Sequence, residues 1–176
     1  MKKQLLIIML FPFFLFSQSN SDCGKEISLS DGGKYLGCTD VEGRFNGKGK
    51  YLWADGSYYT GDWVNNKREG YGEFKSYDGS LYKGNWVDNK RDGKGKYMTT
   101  DGDIYEGYYK DNMRNGDGVY SYKIGSNKSV EKGIFKNDMF FTGTKTSNLV
   151  NGATIESEFM NGERISLSQI STDIQI

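Results

Sequence analysis

Six aromatic residues fall at a spacing that suits ligand binding: Tyr59 with Trp63, Tyr82 with Trp86, and Tyr105 with Tyr109. Successive pairs follow one another at steps of 23 residues. Rings set out in such a row could hold an apolar peptide, a helix or the face of a sugar ring, because exposed aromatic patches commonly mark contact surfaces. The same rings could instead do no more than cover the element that carries them. A second recurring set is basic: Lys67 and Arg68, Lys90 and Arg91, and Arg114. A ladder of positive charge could grip phosphates or an acidic polymer. Glu69 and Asp92 stand beside it, however, and surface charge of this kind commonly serves only solubility.

Catalysis finds little to work with. The chain has no histidine, which removes the Ser-His and Cys-His pairs. Its carboxylates could in principle form an acid–base pair. Yet Asp55, Asp78 and Asp101 each precede a glycine at the same repeat position, which is a turn role. Single Asp-Gly pairs also lack the spacing of calcium loops. The residues therefore read as non-enzymatic, with no metal site and no cofactor.

Charge and compartment narrow the partners. The 176-residue chain carries 23 basic and 23 acidic residues, and without Lys2 and Lys3 the balance is 21 against 23. A near-neutral chain is not a general nucleic-acid binder, since phosphate binding rests on an excess of Lys and Arg. The same balance disfavours attachment to anionic lipid by overall charge. Lys2 and Lys3 precede a run of 12 apolar residues, Leu5 to Phe16, followed by Ser17-Gln18-Ser19. That is the pattern of a secretory signal peptide over residues 1–19, and the run is short for a membrane span. The expected location is therefore periplasmic, cell-envelope or extracellular. Behind such a leader, the two cysteines, Cys23 and Cys38, are expected to form a disulfide. In the chain-entropy model a 15-residue loop is worth about 3 kcal/mol.

The elements that must position these side chains follow from the repeat. YTGDWVNNKREGYGEF starts at Tyr59, YKGNWVDNKRDGKGKY at Tyr82 and YEGYYKDNMRNGDGVY at Tyr105. Eight glycines between residues 59 and 104 exclude helix, at about 1 kcal/mol each against alanine. The local period is two: Tyr82, Gly84 and Trp86 share one face, while Lys83, Asn85 and Val87 share the other. Asp88 to Asp92 reads as the turn of a hairpin, and Asp101-Gly102 as a second, tighter turn. Each unit is thus one β-hairpin, and stacked hairpins give an all-β, elongated, single-layer antiparallel meander. A lone sheet must cover itself, so Tyr82 and Trp86 are expected to lie over glycines of adjacent strands. Weaker copies extend the frame upstream through Gly47, Gly49 and Tyr51, and downstream through Gly133 and Phe135, as capping repeats do.

These three units closely resemble MORN repeats (membrane occupation and recognition nexus). The resemblance covers about Gly43 to Gly143, with traces to Ile165. It departs from the usual Gly-Lys-x-His-Gly after the tryptophan, which here is Asn66-Lys67-Arg68-Glu69-Gly70 and Asn89-Lys90-Arg91-Asp92-Gly93. The resemblance implies a twisted ribbon of hairpins and a scaffold or partner-binding role. Some family members carry a lipid kinase or methyltransferase domain, but the 33 residues after Gly143 are too few to hold one. The expected organisation is a signal peptide at 1–19, an N-terminal capping segment at 20–42, repeats at 43–143, and a degenerate repeat with a cap or tail at 144–176. The expected function is a non-catalytic scaffold that holds a protein partner on the aromatic face. The alternatives are a cell-wall or carbohydrate binder, or binding to an anionic membrane surface through the basic edge. Open sheet ends would also permit end-to-end self-association.

Overall fold

The computed structural model describes residues 22–171, so the expected leader lies outside the described residues. Among the described residues every regular element is a strand: β1 (Asp22–Ser28), β2 (Lys34–Thr39), β3 (Phe45–Leu52), β4 (Tyr58–Val64), β5 (Lys67–Lys75), β6 (Leu81–Val87) and β7 (Lys90–Met98). They are followed by β8 (Ile104–Lys110), β9 (Met113–Ile124), β10 (Asn127–Lys136), β11 (Met139–Asn148), β12 (Thr154–Met160) and β13 (Glu163–Ser171). All thirteen pair antiparallel in chain order within one open sheet. The single-layer meander read from the sequence is the observed architecture. The 165–171 segment is part of the last strand.

A transverse line of glycines organises the register. Gly49 pairs with Gly61, Gly61 with Gly72, Gly72 with Gly84, Gly84 with Gly95, and Gly95 with Gly107. The line continues from Gly107 through Gly118 and Gly133 to Gly143. Tyrosine rings lie along this line. A methyl group on Gly95 would sit 2.6 Å from Cε2 of Tyr82, and one on Gly72 would sit 2.5 Å from Cε2 of Tyr59. The larger ring of each unit faces a further glycine across the strands: Trp63 opposite Gly47, Trp86 opposite Gly70 and Tyr109 opposite Gly93. Backbone without side chains thus makes the floor on which a one-layer core rests.

The turns differ from the sequence reading. Those at Asn65-Asn66, Asp88-Asn89 and Asp111-Asn112 have two residues each, all with positive φ. That is the type I′ geometry that matches the twist of a hairpin and favours Asn and Asp. Lys90, Arg91 and Asp92, expected in the turn, are instead the first residues of β7. The Asp-Gly connections are the longer ones: Thr99 N–H donates to Asp103 O, and Gly102 N–H donates to Thr99 O.

A disulfide joins Cys23 to Cys38, tying the edge strand β1 to β2. Upstream of the strong repeats, Tyr35 and Gly37 occupy the tyrosine and glycine positions of the frame, and a register shift between Gly37 and Thr39 breaks the step. Downstream, one hairpin is longer than the others, with strands β9 and β10 of 12 and 10 residues.

Candidate functional site

All six recurring rings lie on one face of the sheet, and all six are buried, none more than 4% exposed. They pack edge to face in a continuous chain. Tyr59 meets Trp63 at 5.1 Å between ring centroids and Trp86 at 5.4 Å, and Tyr82 meets Trp86 at 5.1 Å and Tyr109 at 5.3 Å. Tyr105 continues it to Tyr109 and Phe135. Such contacts add about 0.5–1.5 kcal/mol each beyond burial. Five of the six polar ends are satisfied within the sheet. The Tyr59 and Tyr82 hydroxyls donate to Asp62 O at 3.1 Å and Asn85 O at 3.0 Å. The Trp63 and Trp86 indoles donate to Gly49 O at 3.2 Å and Gly72 O at 3.3 Å. Burial pushes the Tyr35 and Tyr105 phenols up to about 12, and raises those of Tyr59, Tyr82 and Tyr109 as well. These rings are the core of the ribbon, and an incoming molecule meets other atoms first.

Those atoms belong largely to arginines. Arg68 stacks over Trp86 at 4.3 Å and reaches Phe74 at 5.6 Å; Arg91 stacks over Tyr109 at 5.0 Å and reaches Tyr97 at 5.6 Å. Arg114 repeats the arrangement over Tyr120 and Phe135. A guanidinium is a planar, weakly hydrated cation that suits an aromatic face. The next turn holds each one in place. Nη2 of Arg68 donates to Asn89 O at 2.9 Å, while the Arg68 backbone N–H donates to Asn89 Oδ1 at 2.8 Å. Arg91 makes the same two bonds to Asn112, and Arg114 to Asp138. The second turn residue therefore closes its own hairpin and also clamps the arginine of the hairpin before it.

The basic ladder is consequently not a row of free cations along the edge. Lys67 pairs with Asp88 at 2.5 Å and Lys90 with Asp111 at 2.7 Å. The three arginines fold inward onto the rings. Of the repeated aspartates, Asp55 and Asp78 accept from the Ser57 and Ser80 backbone N–H groups at 2.8 and 2.9 Å, which is a turn-closing role.

Between successive arginines the face opens into furrows. One, of about 380 Å³, has Phe74 and Tyr97 as walls and Arg68 and Arg91 over its rings. The next, of about 300 Å³, is built alike from Tyr97, Tyr120, Arg91 and Arg114. Phe74, Tyr97 and Tyr120 are only partly buried. They are the accessible aromatic residues here, and sequence reasoning passed over them as site residues. The signal that could have found them was the last position of the Gly-x-Gly-x-(Tyr/Phe) half of each unit. The opposite face carries a separate trough of about 650 Å³, lined by Lys94, Ile104, Tyr108, Val119 and Lys132 over Gly107 and Gly118.

The repeat geometry agrees with the family comparison. The model of the MORN repeat matches four consecutive stretches, residues 41–58, 59–81, 82–104 and 105–127. The chain is a MORN-repeat protein. The MORN repeat is generally a non-catalytic repeat module. The matched units contain the three arginines and the aromatic walls of both furrows, while Asp138, which lines the second furrow, and the hairpins beyond residue 127 lie outside the match. Comparison with curated proteins gives no match. Among solved structures, this MORN-repeat chain is similar to the TCP domain of SAS-4 (dCPAP) of Drosophila melanogaster, solved in complex with a proline-rich motif of Ana2 (dSTIL). The two are 16% identical, with 84% of this chain and 90% of that one covered, at a TM-score of 0.33.

Proposed function

We propose that this MORN-repeat chain is a non-catalytic scaffold that holds a protein partner against the aromatic face, in the furrows beneath and between the arginines. The observation that carries this reading is the repetition of one cavity type in successive units, walled by Phe74, Tyr97 and Tyr120. Half-buried aromatic and arginine side chains are the residue types that dominate protein contacts. The six core rings named by the sequence act in this reading as the platform, and the walls and arginines as the contact surface. Residues 43–143 form the binding body, with the described strands on either side of it, β1–β2 and β12–β13, capping its ends. The Cys23–Cys38 disulfide supports an oxidising compartment, in keeping with the export expected from the sequence. An anionic membrane gains less support, because the edge lysines already hold aspartates.

Placing a photo-reactive phenylalanine analogue at position 97, and separately at position 83 on the opposite face, tests this in cells. One defined protein adduct from position 97 and none from position 83 is the expected outcome. Equal adducts from both positions, or none from either, would reject the furrows as the contact surface.

A further inference from the structure

Arg68 and Arg91 differ from the other half-buried arginines in lacking an acid. Arg44 pairs with Asp40 at 2.7 Å and Arg114 with Asp138 at 3.3 Å. Among the described residues no carboxylate lies within ion-pair distance of Arg68 or Arg91. The turn residue that faces each of them is a neutral asparagine, Asn89 or Asn112, where Arg114 faces an aspartate. Within the described residues Arg68 bonds through its backbone N–H, Nε and Nη2, and Arg91 through its backbone N–H and Nη2, which leaves Nη1 of each unengaged. No buried side-chain nitrogen lacks a partner among the described residues, so these Nη1 atoms keep some exposure, and both arginines line the furrow. A half-buried guanidinium without a counter-ion is poised for a carboxylate.

The spacing selects the backbone that could deliver two carboxylates. Arg68 and Arg91 stand at equivalent positions on β5 and β7, two strands apart. Strand spacing puts them about 9.5 Å apart along the ribbon. A polyproline II helix repeats a side-chain direction every third residue, about 9.3 Å. An extended strand repeats at about 6.7 Å, and an α-helix over two turns at about 10.8 Å. Phe74, Tyr97 and Tyr120 recur at the same pitch as the arginines, and aromatic walls of this kind receive prolines in the grooves that bind polyproline II segments. We infer that the face binds a proline-rich segment in polyproline II conformation, lying along the ribbon, with acidic side chains three residues apart on Arg68 and Arg91. The inference rests on the proposed function and names the class of its partner. It also fixes the register: the third position, at Arg114, already holds Asp138 and takes no acid.

The test uses the chain from residue 20 onward, disulfide intact, and fluorescently labelled synthetic peptides, read by anisotropy. The probe is four repeats of Pro-Pro-Glu. The comparisons are Pro-Pro-Gln repeats, three repeats of Pro-Pro-Pro-Glu, and an alanine-rich helix with glutamates seven residues apart. The Pro-Pro-Glu peptide is expected to bind about tenfold or more tightly than either proline-rich comparison, as loss of a charge-assisted hydrogen bond predicts. Arg91→Gln and Arg68→Gln should each remove that preference, and Lys67→Gln should leave it intact. Should the arginine variants unfold, added salt serves instead, because it must weaken the Glu peptide more than the Gln peptide. Equal affinity for the Glu and Gln peptides, or no binding of any peptide, overturns the inference. Preference for the helical peptide, sensitive to Tyr97→Ala, overturns it while leaving the furrows as the contact surface. An adduct from position 97 in cells without peptide binding separates the two in the same way.

Discussion

At the scale of single residues, one glycine and one tyrosine carry the packing logic. A methyl at Gly95 would meet the ring of Tyr82, which is 1% exposed and held at its hydroxyl by Asn85 O. Gly95→Ala is therefore expected to cost about 1–3 kcal/mol by overpacking, and Tyr82→Ala about 3–5 kcal/mol by cavity formation. Combined, they should cost less than the sum, because the second removes the ring that the first strikes. Urea unfolding of the four proteins measures this coupling, and strict additivity would contradict the contact. The phenols add a pH dependence. Burial raises Tyr35 and Tyr105 to about 12 in the folded chain, against about 10 in an unfolded one. Below about pH 10 both states keep the proton and this contribution is fully present. Between about pH 10 and 12 only the unfolded chain releases it, so stability falls as pH rises. The urea midpoint should decline across that window, and the decline should be shallower in Tyr35→Phe.

At the scale of the hairpin, the turn residues do two jobs. Asn89 has φ of 69° and also accepts from the Arg68 backbone through Oδ1. Asn89→Ala should cost about 1–2 kcal/mol for the left-handed conformation, with the clamp lost besides. Asn89→Gly should cost less, because glycine keeps the turn. Thermal unfolding of the two variants orders them, and an alanine variant as stable as the glycine one would rule out the type I′ account. The hairpin was legible in the sequence because the tyrosine, glycine and tryptophan positions keep period two through Tyr82, Gly84 and Trp86. Its turn was less legible. Lys90, Arg91 and Asp92 have the composition of a turn, yet a type I′ connection needs only Asp88 and Asn89, so the strand starts three residues earlier than polarity indicates. The arginine roof was hidden for a related reason. Whether Arg91 points into solvent or folds over Tyr109 depends on the next hairpin, 21 residues on, through Asn112. The aromatic ladder recurs in the sequence, but its burial depends on that same roof and on the glycine line.

At the scale of the whole molecule, each strand pairs only with its neighbours in the chain. Stability in such an array is close to a sum of local terms. Breaking the Cys23–Cys38 bridge is therefore expected to loosen β1 and β2 and leave the central hairpins unchanged. Amide exchange should show lost protection confined to the N-terminal end, and a uniform loss across the sheet would contradict a chain of local terms. The central claim is that one layer suffices, with rings resting on a glycine floor beneath arginines and no second sheet above them. Small-angle X-ray scattering of the monomer tests it most directly. Thirteen strands in one sheet make a ribbon about 60 Å long, for which we predict a radius of gyration of about 19 Å. A value of about 15 Å, that of a globular chain of this length, would mean that the sheet folds back on itself and would contradict the account.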